Sequence, residues 1–454
     1  MPQAPARPST AGPPAFDTER SLSVVDDMLA EARRLGASAA EAAVNVEAGL
    51  SVNVRLGEID TLEHNRDKGL GITVYFGQRK GSASTSDFSG KAIRETVQAA
   101  CDIARFTEAD EYAGLADAER MATDIPDLDL YHPWSLSAEQ AIELARECEA
   151  AGREADSRIR NSEGAMLSSH DSLRAYGNSH GFRGHYLRSR HSLSCTLISE
   201  DGQGMQRDYW YTISRNPAEL EEAQAVGRKA AARTVARLGA RRLGTCQVPV
   251  IFQAEVARGL LGHLLGALSG NALYRKASFL LDHLGKPIFP ASVRIDERPH
   301  LKGALGSAPF DHEGVATRDR DIVRAGILEG YVLDSYAARR LGMQTTGNAG
   351  GVHNLFINHD EVDFADLQRH MGTGLIVTEV MGQGVNTVTG DYSRGASGFW
   401  VENGEVQYPV EEITLASTLQ AMFQGVQAIA DDVDRRGNIC TGSWLIDQMT
   451  VAGE

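Results

Sequence analysis

The chain has 454 residues and a formal net charge of −16, with 42% hydrophobic and 23% charged residues. This length predicts two or three domains, and the composition is typical of a soluble globular protein. The negative charge argues against a dedicated nucleic-acid-binding protein, which needs a basic face to neutralise phosphates. No run of about 18 apolar residues predicts a membrane span.

Two features of the sequence bear on where the protein resides. Residues 1–16 are rich in proline and alanine and lack the apolar core of a signal peptide, so we predict a disordered tail. The five cysteines are scattered along the chain. An odd number of dispersed cysteines without a Cys-x-x-Cys pair does not predict a disulfide framework, and it favours the reducing cytoplasm.

The first hundred residues contain helical and strand-like patterns. Apolar residues recur at helical spacing over Asp17–Leu35, and a second helix is predicted over Lys91–Thr107. Three strand-like runs lie between them: Ala42–Val46, Leu50–Leu56 and Gly71–Phe76. The middle run alternates apolar and polar residues, which predicts one buried and one solvated face.

Two more helices are predicted before residue 240. Ser137–Ala155 is amphipathic. Pro217–Leu238 is rich in alanine, with acidic residues at its start and arginines near its end, an order that complements the helix dipole. Extended, alternating residues lie between the two helices, from Ala165 to Ser214.

These patterns together predict an α+β protein, with an N-terminal α/β layered part followed by a β-rich mixed C-terminal domain. We place the N-terminal domain at residues 17–240, in two sub-parts that cover 17–125 and 126–240. The C-terminal domain is predicted at residues 241–454, where glycine and β-branched residues are more frequent.

Two familiar catalytic motifs are present only in part or outside their usual structural context. Zinc peptidases often place two histidines one helical turn apart, with a glutamate beside the first. Here His312 and Glu313 are followed by Ala316 and Thr317, so no second histidine completes the pattern. Gly177–Gly181 matches Gly-x-Ser-x-Gly, but extended residues follow where the nucleophile motif needs a helix. Its composition predicts a hairpin turn instead.

A basic, histidine-rich run follows that turn and includes His180, His185 and His191. A metal site would require these imidazoles to converge, and their spacing does not guarantee convergence. Contact with nucleic acid would be isolated in an acidic protein. We therefore favour a solvated strand face as the interpretation of this run.

Residues 382–405 set polar side chains among glycines, including Asp391, Tyr392, Ser393 and Arg394. Glycine permits close backbone approach. The pattern allows two interpretations, a strand edge that binds an extended peptide substrate and a tightly packed corner of a sheet. Both remain open, because a paired edge and an unpaired edge have the same local sequence.

The C-terminal half carries several dense motifs. Thr389–Gly404 combines four glycines with aromatic and charged residues. Other motifs flank it: Ser307–Asp311, Glu313–Thr317, Gly330–Tyr336, Thr346–Gly351 and Tyr408–Thr414. Together they resemble the TldD/PmbA family, modulators of gyrase that are also two-part metallopeptidases, and within it the PmbA (TldE) branch. The resemblance covers nearly everything after residue 20 and is densest over residues 271–454.

The resemblance implies where a zinc motif would lie. The TldD branch carries His-Glu-x-x-x-His on a helix that ends in a Leu-Glu-Gly-like step, which Leu268–Gly270 resembles. This alignment puts Leu261, Gly262 and Gly266 at the ligand, base and ligand positions. Cys440 matches the family's C-terminal cysteine, and we favour an ordinary buried thiol there. The resemblance therefore implies that this chain has no metal and no catalytic residues of its own, and that the zinc is bound by a partner subunit.

The resemblance also implies a function. This chain would be the subunit without the zinc motif in a complex with a TldD-like zinc-bearing chain, and it would be inactive alone. The complex would process or degrade unfolded peptides, such as microcin precursors and antitoxins. We expect a homodimer in isolation and no nucleic-acid or membrane partner. The alternatives are a non-catalytic regulator of gyrase or of a toxin–antitoxin pair, and a homodimeric peptidase acting alone.

Overall fold

A computed structural model of the protein describes residues 16–202 and 204–453. The predicted tail lies outside the described residues, apart from Phe16. The chain forms two compact units. Within the described residues, unit 1 comprises the chain up to Glu108, Asp129–Glu200 and Met205–Val235, and unit 2 comprises Ala109–Leu128, Asp201–Gly204 and the chain from Ala236 onward. The predicted α+β class is confirmed.

Unit 1 is built on one six-stranded antiparallel sheet with the spatial order β3-β2-β1-β4-β5-β6. Its strands are β1 (Ala39–Arg55), β2 (Glu58–Phe76), β3 (Arg79–Thr85), β4 (Ile159–Asn178), β5 (Arg183–Glu200) and β6 (Met205–Ser214). Its helices are α1 (Thr18–Arg34), α2 (Gly90–Phe106), α3 (Ala138–Glu154) and α4 (Ala223–Ala236).

The strands of unit 1 are longer than predicted. The runs Ala42–Val46 and Leu50–Leu56 were predicted as separate strands, which was wrong, because residues 47–49 keep their pairing with β2 and β4. An interruption in the apolar pattern is not an interruption in backbone pairing. Leu56 was expected on the buried face but is 46% exposed, because it belongs to the β1–β2 turn and has a φ of 54°.

Side-chain caps explain where the helices of unit 1 begin. Asp17 accepts a hydrogen bond from the backbone N–H of Arg20 at 2.9 Å, and Ser137 forms a reciprocal capping box with Gln140. The predicted helix Pro217–Leu238 starts too early. A short 3₁₀ turn occupies its first residues, and α4 begins at Ala223.

One face of the unit 1 sheet is covered by helices. Val44 packs with α1 and α2, whereas Val52 packs with α3 and α4, and both valines are fully buried. Alternate residues of β1 point to the opposite face, where Asn45 and Glu47 are exposed. The sheet therefore has one apolar face and one polar face.

Unit 2 contains two sheets. The smaller has the order β10-β9-β8-β11-β16 and comprises β8 (Ile295–Glu297), β9 (Arg320–Arg324), β10 (Ile327–Leu328), β11 (Leu355–Ile357) and β16 (Ile439–Cys440). The larger has the order β14-β13-β12-β7-β17-β15 and comprises β7 (Cys246–Phe252), β12 (Gly374–Met381), β13 (Asp391–Glu402), β14 (Glu405–Thr418), β15 (Val426–Ile429) and β17 (Trp444–Ala452).

The larger sheet closes on itself, because β14 also pairs with β17. Phe252 and Trp444 are fully buried in its core. The rings of Phe289 and Phe423 stack in the same core, with their centroids 4.8 Å apart. The helices of unit 2 are α5 (Ala254–Leu268), α6 (Gly270–Tyr274), α7 (Ser335–Arg340), α8 (Phe364–Met371) and α9 (Leu419–Gln424). Among the residues that the structure describes, no helix is long and apolar enough to span a membrane.

Candidate functional site

Helix α5 carries the three positions at which the family resemblance places the zinc motif. Leu261 is fully buried in the core of unit 2. Gly262 and Gly266 lie on the opposite, exposed side of the helix. A leucine supplies packing area and a glycine supplies no side chain, so none of the three offers a lone pair to a metal.

Gly259 joins Gly262 and Gly266 in one stripe, since residues three and four apart share a helix face. A Cβ atom at Gly259 or Gly262 would meet no heavy atom within 4 Å, and one at Gly266 would touch only Thr387 Cγ2 at 4.0 Å. Each glycine in a helix interior costs about 1 kcal/mol relative to alanine. We call this bare surface the glycine stripe.

Cys440 lies near the first half of α5. Its side chain is 4% exposed, and burial raises the pKa of its thiol to about 11, so it is a neutral thiol near pH 7. Ion pairs connect this region to the helix: Arg258 lies 3.6 Å from Asp434, and Arg436 lies 3.2 Å from Glu255. The thiol itself takes no part in these ion pairs, and its Sγ lies 3.8 Å from the Gly437 carbonyl oxygen.

The donor groups at α5 do not fit a zinc ion. Zinc sites use three or four nitrogen, sulfur or carboxylate ligands. Within residues 16–202 and 204–453, no group of three or more His, Cys, Asp or Glu side chains is placed to hold a metal. The absence of zinc from the purified chain stays a prediction.

His263 also lies on α5, and it contacts β13, the strand that contains most of the Thr389–Gly404 motif. Its ring meets the Tyr392 ring edge-on at a centroid distance of 6.2 Å. Burial, with a smaller contribution from Arg394, lowers the pKa of His263 below its usual range. Burial also raises the pKa of Tyr392 to about 12. Both side chains are therefore neutral near pH 7 and pack as an aromatic pair.

Both backbone edges of the first residues of β13 are occupied. One edge pairs with β14, where Asp391 lies opposite Thr418. On the other edge, the N–H of Ser393 donates to the Gly384 carbonyl oxygen at 2.6 Å. Arg394 donates through Nε to the Met381 carbonyl oxygen at 3.0 Å. Any contact between these four predicted residues and a substrate would therefore use side chains, and that role stays a prediction.

A different strand of this region has an unpaired edge. Leu375–Val377 of β12 pair with β7, and the N–H of Gln253 donates to the Val377 carbonyl oxygen at 3.1 Å. Beyond Val377, no backbone group of the described residues pairs with that edge of Thr378–Met381, although the Met381 carbonyl oxygen accepts from Arg394 Nε. Gln253 directly precedes α5, and the stripe residue Gly266 approaches Thr387 on the chain that follows β12. The helix therefore runs beside this free edge.

Two carboxyl groups, the buried Asp311 and the half-buried Glu313, belong to the motifs that carry the family resemblance. Asp311 accepts hydrogen bonds from the backbone N–H groups of Glu313, Val315 and Ala349. Glu313 accepts from the backbone and hydroxyl of Ser335 at 3.1 and 2.6 Å. Burial raises the pKa of Asp311 to about 6 and that of Glu313 to about 7. In the sequence, the only hint of these perturbed groups is that Asp311 and Glu313 stand among apolar and glycine residues.

The histidine-rich run does not form one site. His185 lies opposite Ala175 and His191 opposite Ser169, six residues further along β5, which is about 20 Å in a strand. The predicted solvated face is wrong for His191, which is fully buried. Its Nε2 donates to the His132 carbonyl oxygen at 2.9 Å, so Nδ1 accepts from the Ser169 hydroxyl.

His180 lies in the turn between β4 and β5, where Gly177–Gly181 was predicted to form a hairpin turn. That prediction is confirmed. No helix follows the run, so the context of a nucleophile motif is absent.

Three family models match this chain in succession. They are described as the PmbA/TldA metallopeptidase domain 1, central domain and C-terminal domain, and they match residues 40–104, 131–238 and 245–453. The chain belongs to the PmbA/TldD metallopeptidase family. The signature motifs of its C-terminal half lie within the third of these matches.

Full-length relatives in the PmbA/TldD family are similar over most of their sequence. Metalloprotease PmbA of Escherichia coli O157:H7 is 52% identical over 415 residues, which are 91% of this chain and 92% of that protein. The metalloprotease PmbA homolog of Haemophilus influenzae is also 52% identical, over 93% of this chain and 94% of that protein. The metalloprotease TldD homolog of that organism is 21% identical over 80% of each chain.

Solved structures of the PmbA/TldD family share the fold. A proposed modulator of DNA gyrase from Bacteroides thetaiotaomicron superposes with a TM-score of 0.92 at 27% identity, over 97% of this chain and 100% of that one. TldE from Thermococcus kodakarensis has a TM-score of 0.82 at 19% identity, over 95% and 100%. The latter likeness concerns the fold alone.

Proposed function

We propose that this chain is the PmbA/TldE-like subunit of a TldD-type metallopeptidase complex in the cytoplasm. It is the subunit without the zinc motif, and the complex processes or degrades unfolded peptides, such as microcin precursors and antitoxins. The names of the 52% identical relatives support peptidase function at the family level. The existence of TldD homologues among the matches is compatible with a zinc-bearing partner.

The observation that carries the proposal is the glycine stripe of α5. By the family resemblance, a zinc-bearing chain has ligands and a base at positions where this chain has Leu261, Gly262 and Gly266. Three exposed glycines lower the stability of the helix by about 1 kcal/mol each. Such a cost is retained where a surface must stay open, since function competes with stability at binding sites.

The free edge of β12 supports the choice of substrate. An extended peptide that adds a strand to Thr378–Met381 would bond through main-chain groups, which every unfolded sequence offers. The adjacent glycine stripe leaves room for its side chains. Asp391 and Ser393 are exposed and would contact the substrate through their side chains. Folded proteins lack a free strand to offer, so they should resist the complex.

The test is a degradation assay with reconstituted subunits. This chain, a TldD-like zinc-bearing chain and the mixture are each incubated with an unfolded domain and with its folded parent. We expect cleavage of the unfolded form by the mixture and none by this chain alone. Equal cleavage of the folded and unfolded forms would refute strand addition.

The same assay separates the alternatives. Full activity of this chain alone would favour a homodimeric peptidase. Full activity of the zinc-bearing chain alone, unchanged by this chain, would favour a regulatory protein.

A variant of the stripe tests the assigned surface. Gly262→Leu fills open space, so it should leave the fold intact and slow peptide degradation by the mixture several-fold. Glu95→Leu in α2 is the matched control, because it puts the same side chain on another exposed helix position. Equal activity of both variants and the unmodified chain would remove the stripe from the substrate path.

A further inference from the structure

The polar face of the unit 1 sheet holds a shallow cavity of about 380 Å³. Small-molecule sites range from about 300 to 1,000 Å³. Four adjacent strands line the cavity, and its polar lining residues are Asn45, Glu47, Asp67, Lys68, Ser172, Arg174 and Arg188. None of these residues belongs to the candidate functional site or to a motif quoted for the family.

The register of the sheet separates the charges of this cavity. Asp67 on β2 lies opposite Glu47 on β1, Glu47 lies opposite Ser172 on β4, and Ser172 lies opposite Arg188 on β5. One row therefore reads acid, acid, serine, arginine across four strands. In the neighbouring row, Asn45 lies opposite Arg174. Anionic groups form one wall of the cavity and guanidinium groups form the other.

Among the described residues, the acidic wall has one ion-pair contact, between Glu47 and His170. Like charges directly opposite one another on neighbouring strands are unfavourable. Glu47 Oε1 lies 3.2 Å from His170 Nδ1, although that nitrogen makes no well-aligned hydrogen bond. Asp67 has no hydrogen-bond or ion-pair partner among the described residues, and the ammonium of adjacent Lys68 lies over the Phe88 ring at 4.9 Å. An ammonium group between the two carboxylates would relieve their repulsion.

Arg188 is the residue of the basic wall that has donors to spare. Arg188 donates through Nε to the Ser172 hydroxyl at 3.0 Å. Its terminal amino groups make no hydrogen bond within the described part of the chain, and a guanidinium carries five N–H donors suited to a carboxylate. Arg174 donates to Asn45 Oδ1 at 3.3 Å. This hydrogen bond holds the guanidinium of Arg174 on the side of the cavity that faces the acidic wall. A carboxylate is the ligand group that this wall fits.

We propose that this cavity binds a short zwitterionic peptide, with its α-ammonium at Glu47 and Asp67 and its α-carboxylate at Arg188 and Arg174. Strands lie about 4.8 Å apart, so Glu47 and Arg188, two strands apart, are separated by about 10 Å. An extended peptide spans about 3.3–3.6 Å per residue, so a dipeptide or tripeptide bridges the walls. This second site goes beyond the proposed function, since it needs neither zinc nor a partner chain.

Calorimetric titration of the isolated full chain tests the site. The probes are Ala-Ala and Ala-Ala-Ala with free termini, together with their N-acetylated and C-amidated forms. We expect the free peptides to bind at millimolar concentration or below, and each blocked form to bind about 10-fold more weakly, since each loses one charge-assisted contact. No binding, or equal binding of free and blocked forms, overturns the proposal.

Matched variants assign the walls. Asp67→Asn should weaken binding of the free dipeptide and leave the N-acetylated form unaffected, and Arg188→Gln should do the same with respect to the C-amidated form. Glu63→Gln and Arg190→Gln are the controls, because they remove the same charges elsewhere on these two strands. The walls would be wrongly assigned if the controls weakened binding as much as the site variants, and the proposal would then fail.

Discussion

The glycine stripe of α5 predicts an unusual gain in stability. We expect Gly259→Ala together with Gly262→Ala to stabilise the chain, because both residues lie within α5 and an added Cβ meets nothing within 4 Å. Alanine is favoured over glycine in a helix interior by about 0.8–1.0 kcal/mol. The double variant should therefore gain about 2 kcal/mol in the free energy of unfolding. For a unit of this size, that corresponds to roughly 4–8 °C in melting temperature.

The assay is chemical or thermal unfolding of the purified full chain, followed by circular dichroism. Gly270→Ala in α6 is the opposing control, because its Cβ would lie 2.3 Å from the Ala337 Cβ, and it should destabilise the chain. The reasoning is refuted if the double variant unfolds at or below the temperature of the unmodified chain. That result would mean that the stripe is covered by another part of the protein.

Four further predictions concern Glu313, Cys440, Asp67 and the assembly of the chain. Glu313 keeps its proton in the folded state up to about pH 7, whereas the unfolded carboxyl ionises near 4.5, so the free energy of unfolding should fall as pH rises from about 4.5 through 7. Glu313→Gln should flatten that dependence by about 1–3 kcal/mol in titrations of stability, and an unchanged slope would show that Glu313 is not the group responsible. Cys440→Ser should lower the free energy of unfolding by no more than about 1 kcal/mol, because a hydroxyl can donate to the Gly437 carbonyl oxygen near the thiol. The same variant should hardly change the peptidase activity of the complex. A large loss of stability or of activity would contradict a purely structural role for Cys440. Asp67→Asn should raise thermal stability by about 0.2–1 kcal/mol by removing a like-charge pair with Glu47, and a loss of stability would mean that Asp67 has a favourable partner. Light scattering should detect a homodimer of the isolated chain and a heterodimer with a TldD-like chain, and monomers under both conditions at micromolar concentration would refute the predicted assembly.

Local patterns predicted the class of the fold and the starts of two helices of unit 1, whereas α4 begins later than predicted. Asp17 and Ser137 are capping residues whose effect is confined to one helical turn, so the starts of α1 and α3 could be predicted. The strands were harder, because β1 continues through Glu47–Gly49, where its buried face carries no bulky residue. Pairing with both neighbouring strands holds that segment extended, and such long-range pairing cannot be predicted from the local sequence.

Some features of the candidate site could be predicted from the sequence and others could not. The motif positions on α5 could be numbered from the family resemblance, but the exposure of Gly262 and the burial of Leu261 depend on tertiary packing. The free edge of β12 could not be predicted, because Thr378–Met381 differ from paired residues only in what lies beside them. The charge-separated cavity of unit 1 has the same origin, since its register joins residues more than a hundred positions apart.

Elemental analysis of the tag-free, purified chain tests whether this chain lacks a zinc ion of its own. A chain with Leu261, Gly262 and Gly266 at the motif positions offers no closed set of zinc ligands there, so we predict well below one zinc per molecule. Stoichiometric zinc that disappears in Cys440→Ser would contradict the account. It would mean that Cys440 and other side chains converge on a metal, and that this chain is itself a zinc-bearing subunit.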